Sequence, residues 1–158
     1  MLYFGYGSNM NWDEMKRVCR SPQFFCKAIL SNYRLDFTWW SEKRGTGVAD
    51  AVKNSGSEIW GVVYEIDDND ISHLDKKEGF KPGRKLNKNT YTRKECTVIK
   101  EGQQNNSIKV FAYFVQNPKG SFQYPSVAYK NLLVTGANLR GLPKEYIEKT
   151  LEQIKTID

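Results

Sequence analysis

The sequence is poor in the usual tools of catalysis. It has one histidine, His73, so any Ser-His-Asp or Cys-His arrangement would have to use it, and a multi-histidine metal site is excluded. Its three cysteines, Cys19, Cys26 and Cys96, form no C-x-x-C pair. Neither a disulfide framework nor a tetrahedral zinc site is suggested, and reduced, partly buried thiols are expected. No apolar run approaches the roughly 20 residues that a membrane span needs. No cationic stretch followed by an apolar one is visible at the start. A cytoplasmic protein is therefore expected. A G-x-x-x-x-G-K-[ST] phosphate loop does not occur. Gly5 and Gly7 make a G-x-G, but position 10 is Met10, where a dinucleotide fingerprint needs a third glycine.

What is present points to one packed domain over residues 1–158. Hydrophobic residues make up 39% of the chain and aromatics 13%, enough for a core. The formal net charge is +6. That suits nucleic acid, an acidic lipid surface or anionic metabolites, and net charge alone does not choose among them. Any acid–base chemistry falls to a carboxylate.

Met1 to Tyr6 reads as a strand running into the turn Gly7-Ser8-Asn9. Asn9 to Arg20 reads as a first helix, with Ser8 or Asn9 as N-cap. Phe24 to Leu30 and Tyr33 to Trp39 read as two strands around a turn at Ser31-Asn32. Ser41 to Gly47 reads as a loop, Val48 to Val52 as a short strand, and Asn54 to Ser57 as a turn. Glu58 to Ile66 is the clearest strand. Asp67 to Lys77 reads as a short helix, acidic at its start and closed by Gly79. Tyr91 to Lys100 and Ile108 to Gln116 read as late strands. Tyr124 to Leu133 and Lys144 to Ile154 read as helices. Strands mostly not separated by helices favour α+β, with a curled mixed sheet or small barrel.

Four features could carry chemistry. Tyr6-Gly7-Ser8-Asn9 places backbone N–H groups without helical partners where a strand hands over to a helix, and such a turn can hold a carboxylate or phosphate. A capped turn without a ligand is the alternative. Glu78 ends a short helix beside Gly79, where a carboxylate can point into a cavity and move protons. A surface glutamate beside two lysines is the alternative. Several tyrosines lie on strands, where they are usually core residues with the hydroxyl at a rim. Lys81 to Asn89 carries four basic residues and no acid. It has no aromatic interleaving, so a solvated loop is favoured over a nucleic-acid contact.

Together these segments resemble the γ-glutamylcyclotransferase family. Met1 to Met10 is similar to its aromatic–x–Tyr-Gly-Ser-Asn–aliphatic signature. Leu74-Asp75-Lys76-Lys77-Glu78-Gly79 is similar to its Leu-Asp-x-x-Glu-Gly segment. Tyr33 to Phe37, Glu58 to Tyr64 and Gly141 to Tyr146 match in order. The resemblance implies a γ-glutamylcyclotransferase-like small mixed β-barrel with flanking helices. It implies conversion of a γ-glutamyl amino acid to 5-oxoproline and the free amino acid, with no cofactor and no metal. It assigns Glu78 as the catalytic acid–base group, and Tyr3, Phe4, Gly5, Tyr6, Gly7, Ser8, Asn9, Tyr91, Tyr113 and Tyr129 to substrate binding. The implied partner is a small γ-glutamyl molecule, not nucleic acid and not a membrane; a homodimer is left open. A γ-glutamylamine or other γ-glutamyl intermediate as substrate, or a non-catalytic binding module, are the alternatives. The stretch from Glu78 to Tyr91 looks longer than in the familiar animal enzymes. The basic loop Phe80 to Asn89 is therefore expected to meet the substrate's leaving half.

Overall fold

The computed structural model describes residues 1–158. Five strands close into a barrel: β1 (Leu2–Gly5), β2 (Gln23–Ser41), β3 (Thr46–Glu65), β4 (Tyr91–Lys100) and β5 (Ser107–Val115), in the spatial order β1-β3-β2-β4-β5. The β1–β5 seam is parallel, with Tyr3 opposite Phe111, and the other pairs are antiparallel. Four α-helical segments flank it: α1 (Trp12–Val18), α2 (Asp68–Lys77), α3 (Val127–Leu139) and the single turn α4 (Lys144–Tyr146). This is the small mixed barrel with helices that the resemblance implied. No helix is long and apolar enough to cross a membrane.

The barrel follows from strand alternation. In β2, Cys26, Ala28 and Leu30 are buried while Phe25 and Ser31 face out. Period-two alternation of this kind puts one face of a strand in the core. Phe4, Ile59, Val62, Val63, Tyr64, Val98 and Ala112 complete the interior. Gly61 is required there, because a Cβ on it would lie 2.6 Å from the Phe4 ring.

Three expectations change. The two strands expected within 24–39 are one, and so are those expected within 48–66. Ser31-Asn32 and Asn54 to Ser57 do not turn the chain. They face each other as an irregularity in one long β2–β3 hairpin, whose register shifts between Ser31 and Tyr33. Asn32 has φ 63° and Gly56 φ 82°, and the Asn32 side-chain oxygen accepts from the Gly56 N–H at 3.1 Å. The polar stretch expected as a loop is the tip of this hairpin. In the first helix the cap is neither Ser8 nor Asn9. Ser8–Met10 forms a 3₁₀ turn, and Asn11 caps α1 by accepting from Asp13 and Glu14. The last helix is α-helical only over Lys144–Tyr146, and Ile147–Leu151 continues it as a π-helical turn.

Two contacts place the site. α3 packs onto the backbone that follows the Gly7-Ser8-Asn9 turn: a Cβ at Gly136 would lie 2.5 Å from the Asn11 nitrogen. At the other side, Asp67 caps α2 by accepting from Asn69 at 2.8 Å. Gly79, at φ 66°, ends α2 in the left-handed conformation that glycine adopts at little cost. The Glu78 carbonyl then accepts from the Tyr91 N–H at 3.3 Å, so Glu78 is fixed between the end of α2 and the start of β4.

Candidate active site

The turn after β1 and the end of α2 meet over one small pocket. Tyr3, Tyr6, Gly7, Ser8 and Asn9 line it from the N-terminal side. Ala49, Glu78, Tyr91, Tyr113 and Tyr129 complete it. The pocket holds about 30 Å³ and shares Ser8, Glu78, Tyr91 and Tyr129 with an outer cleft of about 400 Å³. Nine of the eleven residues that the sequence singled out therefore line one cavity. Phe4 and Gly5 do not. Phe4 is wholly buried in the barrel against Gly61, and Gly5 packs on Asn9 and Tyr3 one layer behind the wall. Strand alternation explains Phe4: it points to the opposite face from Tyr3.

Asn9 joins the two halves. Its amide nitrogen donates to the Tyr3 hydroxyl at 2.8 Å and to Glu78 Oε1 at 3.0 Å. Its amide oxygen accepts from the Lys77 ammonium. An ammonium only donates and a carboxylate only accepts, so the flanking charges fix which way the Asn9 amide points. The Gly7 N–H donates to no backbone acceptor, and the Ser8 and Asn9 N–H groups open the 3₁₀ turn, ahead of its first intrahelical bonds. Buried N–H groups are almost always paired, so a cavity wall with such a donor left over is suited to an oxygen-bearing ligand.

The tyrosines are neutral donors and acceptors. Burial holds the hydroxyls of Tyr3, Tyr6, Tyr91 and Tyr129 above the ordinary tyrosine range, and the negative charge of Glu78 adds to this. Tyr6 donates to the Tyr113 carbonyl and Tyr91 to the Ala49 carbonyl. Tyr129 accepts from the Ala49 N–H at 3.2 Å. Tyr113 donates to Asp75 Oδ1 at 2.7 Å, and Arg93 holds the other Asp75 oxygen at 2.9 Å. Burial, followed by the Asp75 hydrogen bond and charge, pushes the Tyr113 hydroxyl far up.

Several neighbours escaped the sequence reading. Asp75 was within reach, because it lies three residues before Glu78 and a helix places such residues on one side. Ala49 carried no signal, since it acts through its backbone. A charge cluster also lies behind the turn. Glu14 accepts from Arg17 at 2.9 Å and from Arg44 at 2.7 Å, with the Lys77 ammonium at 3.7 Å. Burial opposes its charge, but the Arg44 hydrogen bond and the three cations prevail and hold its carboxyl below the ordinary range. Burial lowers Lys77, with Glu78 and Glu14 opposing that shift.

The single histidine, the cysteines and the basic loop lie elsewhere. His73 is half exposed on α2, 3.6 Å from Asp70, and lines no part of the pocket. The cysteines are free, and burial pushes the thiols of Cys19 and Cys96 up to about 11. The basic loop Phe80 to Asn89 contributes to neither pocket nor cleft; only Gly79 and Thr90 at its ends reach the cleft. The loop folds on itself: Arg84 donates to the Gly79 carbonyl at 2.6 Å and to the Asn89 side chain at 2.8 Å.

Comparison with known proteins gives the family. Residues 58–150 match the model of the AIG2-like family. The chain is 35% identical over 153 residues to the gamma-glutamylcyclotransferase of Mus musculus, covering 94% of this chain and 76% of that protein. It is 34% identical over 161 residues to that of Bos taurus, covering 99% and 80%. A solved structure of a gamma-glutamyl cyclotransferase superposes with a TM-score of 0.88 at 31% identity, over 100% of this chain and 89% of that one. The chain belongs to the AIG2-like family, together with these gamma-glutamylcyclotransferases.

Proposed function

We propose that this protein is a γ-glutamylcyclotransferase that closes γ-glutamyl amino acids to 5-oxoproline and releases the free amino acid. The observation that carries this reading is the Asn9 bridge, which puts the Glu78 carboxylate across one small pocket from the Gly7-Ser8-Asn9 turn. Kinship with the gamma-glutamylcyclotransferases supports it.

The chemistry is intramolecular. The substrate's α-amino nitrogen attacks its own γ-carbonyl carbon, so positioning supplies much of the rate. Glu78 takes the proton that the α-ammonium must lose. A carbon–nitrogen bond closes the five-membered ring, and the former amide bond breaks. Glu78 returns the proton to the leaving nitrogen, the second proton that the ring nitrogen sheds as the lactam forms passes to the departing amine in the same way, and no electrons are exchanged with a partner. The N–H groups of Gly7, Ser8 and Asn9 hold a substrate oxygen, and neutral tyrosine hydroxyls add donors without adding charge. The pocket has room for a water or two. The glutamyl half therefore sits at its mouth, where Ser8, Glu78, Tyr91 and Tyr129 border both pocket and cleft.

The test is incubation with a panel of γ-glutamyl amino acids, γ-glutamylamines and γ-glutamyl peptides, following 5-oxoproline. Release from the amino-acid members supports the reading. Release from the amines alone would redirect it to γ-glutamylamines. Silence across the panel would make the pocket a binding site.

A further inference from the structure

The outer cleft leads away from Glu78 into a basic trough. The trough lies between the end of α1, α2 and the tip of the β2–β3 hairpin, and its volume is about 530 Å³. Lys16, Arg17, Arg20, Lys43, Lys76 and Lys77 line it, and no carboxylate does. Cleft and trough share Lys43, Lys76 and Lys77, so the two adjoin. Glu14 engages Arg17 and Lys77 from beneath, and Asp13 holds Lys16 at 3.2 Å. Arg20, Lys43 and Lys76 have no acidic partner within salt-bridge distance. On the cleft side Glu42 is the one acid besides Glu78.

We propose that this trough binds the leaving half of the substrate, and that the protein prefers γ-glutamyl compounds whose leaving amine bears an additional carboxylate. This rests on the reading of Glu78 as the acid–base group. The bond that breaks lies beside Glu78, and the leaving half must continue into the space that Glu78 borders on its outer side. That space is the cleft, and its continuation is basic. Arg20, Lys43 and Lys76 converge on one cavity without counter-ions and repel each other, and an anion relieves the repulsion. An acidic amino acid, or a short peptide of acidic residues, fits both the charge and the volumes, which lie in or near the range of small-molecule sites. The loop Phe80 to Asn89, though basic, faces neither cavity and takes no part.

The experiment compares γ-glutamyl-glutamate with γ-glutamyl-glutamine, which has the same shape and one charge less, by 5-oxoproline release at low salt. An exposed ion pair contributes little singly, so two unpaired lysines should give a kcat/KM ratio of about fivefold in favour of the glutamate compound. The difference should lie in KM. In the Lys43→Ala/Lys76→Ala variant the ratio should fall towards one. High salt should do the same to the native protein, because at ~1 M the screening length shrinks to about 3 Å. A ratio of one in the native protein, or an unchanged ratio in the variant, overturns the trough while product still forms. Release of 5-oxoproline from neither compound removes the reaction reading, and this inference with it.

Discussion

The inner pocket and the outer trough are built on opposite electrostatic plans. The pocket is walled by buried, neutral tyrosines whose hydroxyls are tied to backbone, to Asn9 or to Asp75, and Glu78 enters it from the end of α2. The trough is open and lined by lysines and arginines. A dry, hydrogen-bonded wall holds a reacting centre in one geometry and strengthens its electrostatics. An exposed cationic surface attracts charge weakly and tolerates different shapes. The pocket is thus suited to fix which reaction occurs, and the trough to bias which substrate undergoes it. Lys77, which lines the trough, and Glu78, which lines the pocket, are consecutive residues and couple the two.

The strongest way to break this division is Glu78→Gln. The amide keeps the shape and can still accept from Asn9, but it cannot take a proton. Turnover should fall by about a thousandfold, within the usual range for a lost general acid–base group. The kcat should carry that loss, and binding of a γ-glutamyl ligand, followed by calorimetry, should persist. Activity near that of the native protein would remove Glu78 from the chemistry.

Gly136→Ala tests what holds the turn in place. Alanine is the better helix former by about 1 kcal/mol, which alone would stabilise α3. The new Cβ would meet the Asn11 nitrogen at 2.5 Å and the Met10 carbonyl carbon at 2.6 Å, both backbone atoms that cannot rotate away. The overpacking term, about 1–3 kcal/mol, should exceed the propensity gain. A lower midpoint of denaturation is expected, together with lower activity, as the turn moves with Met10 and Asn11. A raised midpoint would show that α3 and the turn yield easily.

How far the sequence revealed these regions follows from how each is built. The Tyr-Gly-Ser-Asn turn and the Glu78 segment are each an unbroken run of sequence, so each could be matched to a family signature, although neither showed its chemistry alone. The strands were legible from alternation. The turn signals at Ser31-Asn32 and Asn54 to Ser57 were real in backbone terms, since Asn32 and Gly56 both have positive φ. They mark facing irregularities because the strands continue past them, and only the pairing partner reveals that. The charge cluster was hidden for the same reason. Glu14, Arg44 and Lys77 come from α1, the hairpin tip and α2, and no local pattern joins them.

Glu14→Gln tests the border between the regions, with a smaller effect. The carboxyl titrates below its ordinary value near 4.5 in the folded protein. Its stabilising contribution is therefore complete above the unfolded value and is lost as pH falls through the folded one. Glutamine should lower stability at neutral pH by about 1 kcal/mol, allowing for the solvent that reaches Arg17 and Arg44. The gap between native and variant proteins should narrow as pH falls below the ordinary carboxylate range and through the folded value. Denaturant unfolding from pH 7 downward across the acid limb measures both. A gap that does not narrow anywhere on that limb would mean that Glu14 acts by packing.

The smallest effect is expected in the segment that looked most basic. Lys85 and Lys88 sit on the loop after Glu78, yet neither lines the pocket, the cleft or the trough. Both are exposed, and the loop is held by Arg84 and Asn89 instead. Exposed charges that border no cavity act through solvent and are weakened by salt at physiological ionic strength. Lys85→Ser/Lys88→Ser should therefore change kcat/KM by less than about twofold for γ-glutamyl-glutamate and γ-glutamyl-glutamine alike, which corresponds to less than about 0.4 kcal/mol. The same number of charges removed at Lys43 and Lys76 should change the ratio between those substrates. If the loop variant changes that ratio and the trough variant does not, the selecting surface is the loop, and the pocket delivers its leaving group on the other side of Glu78.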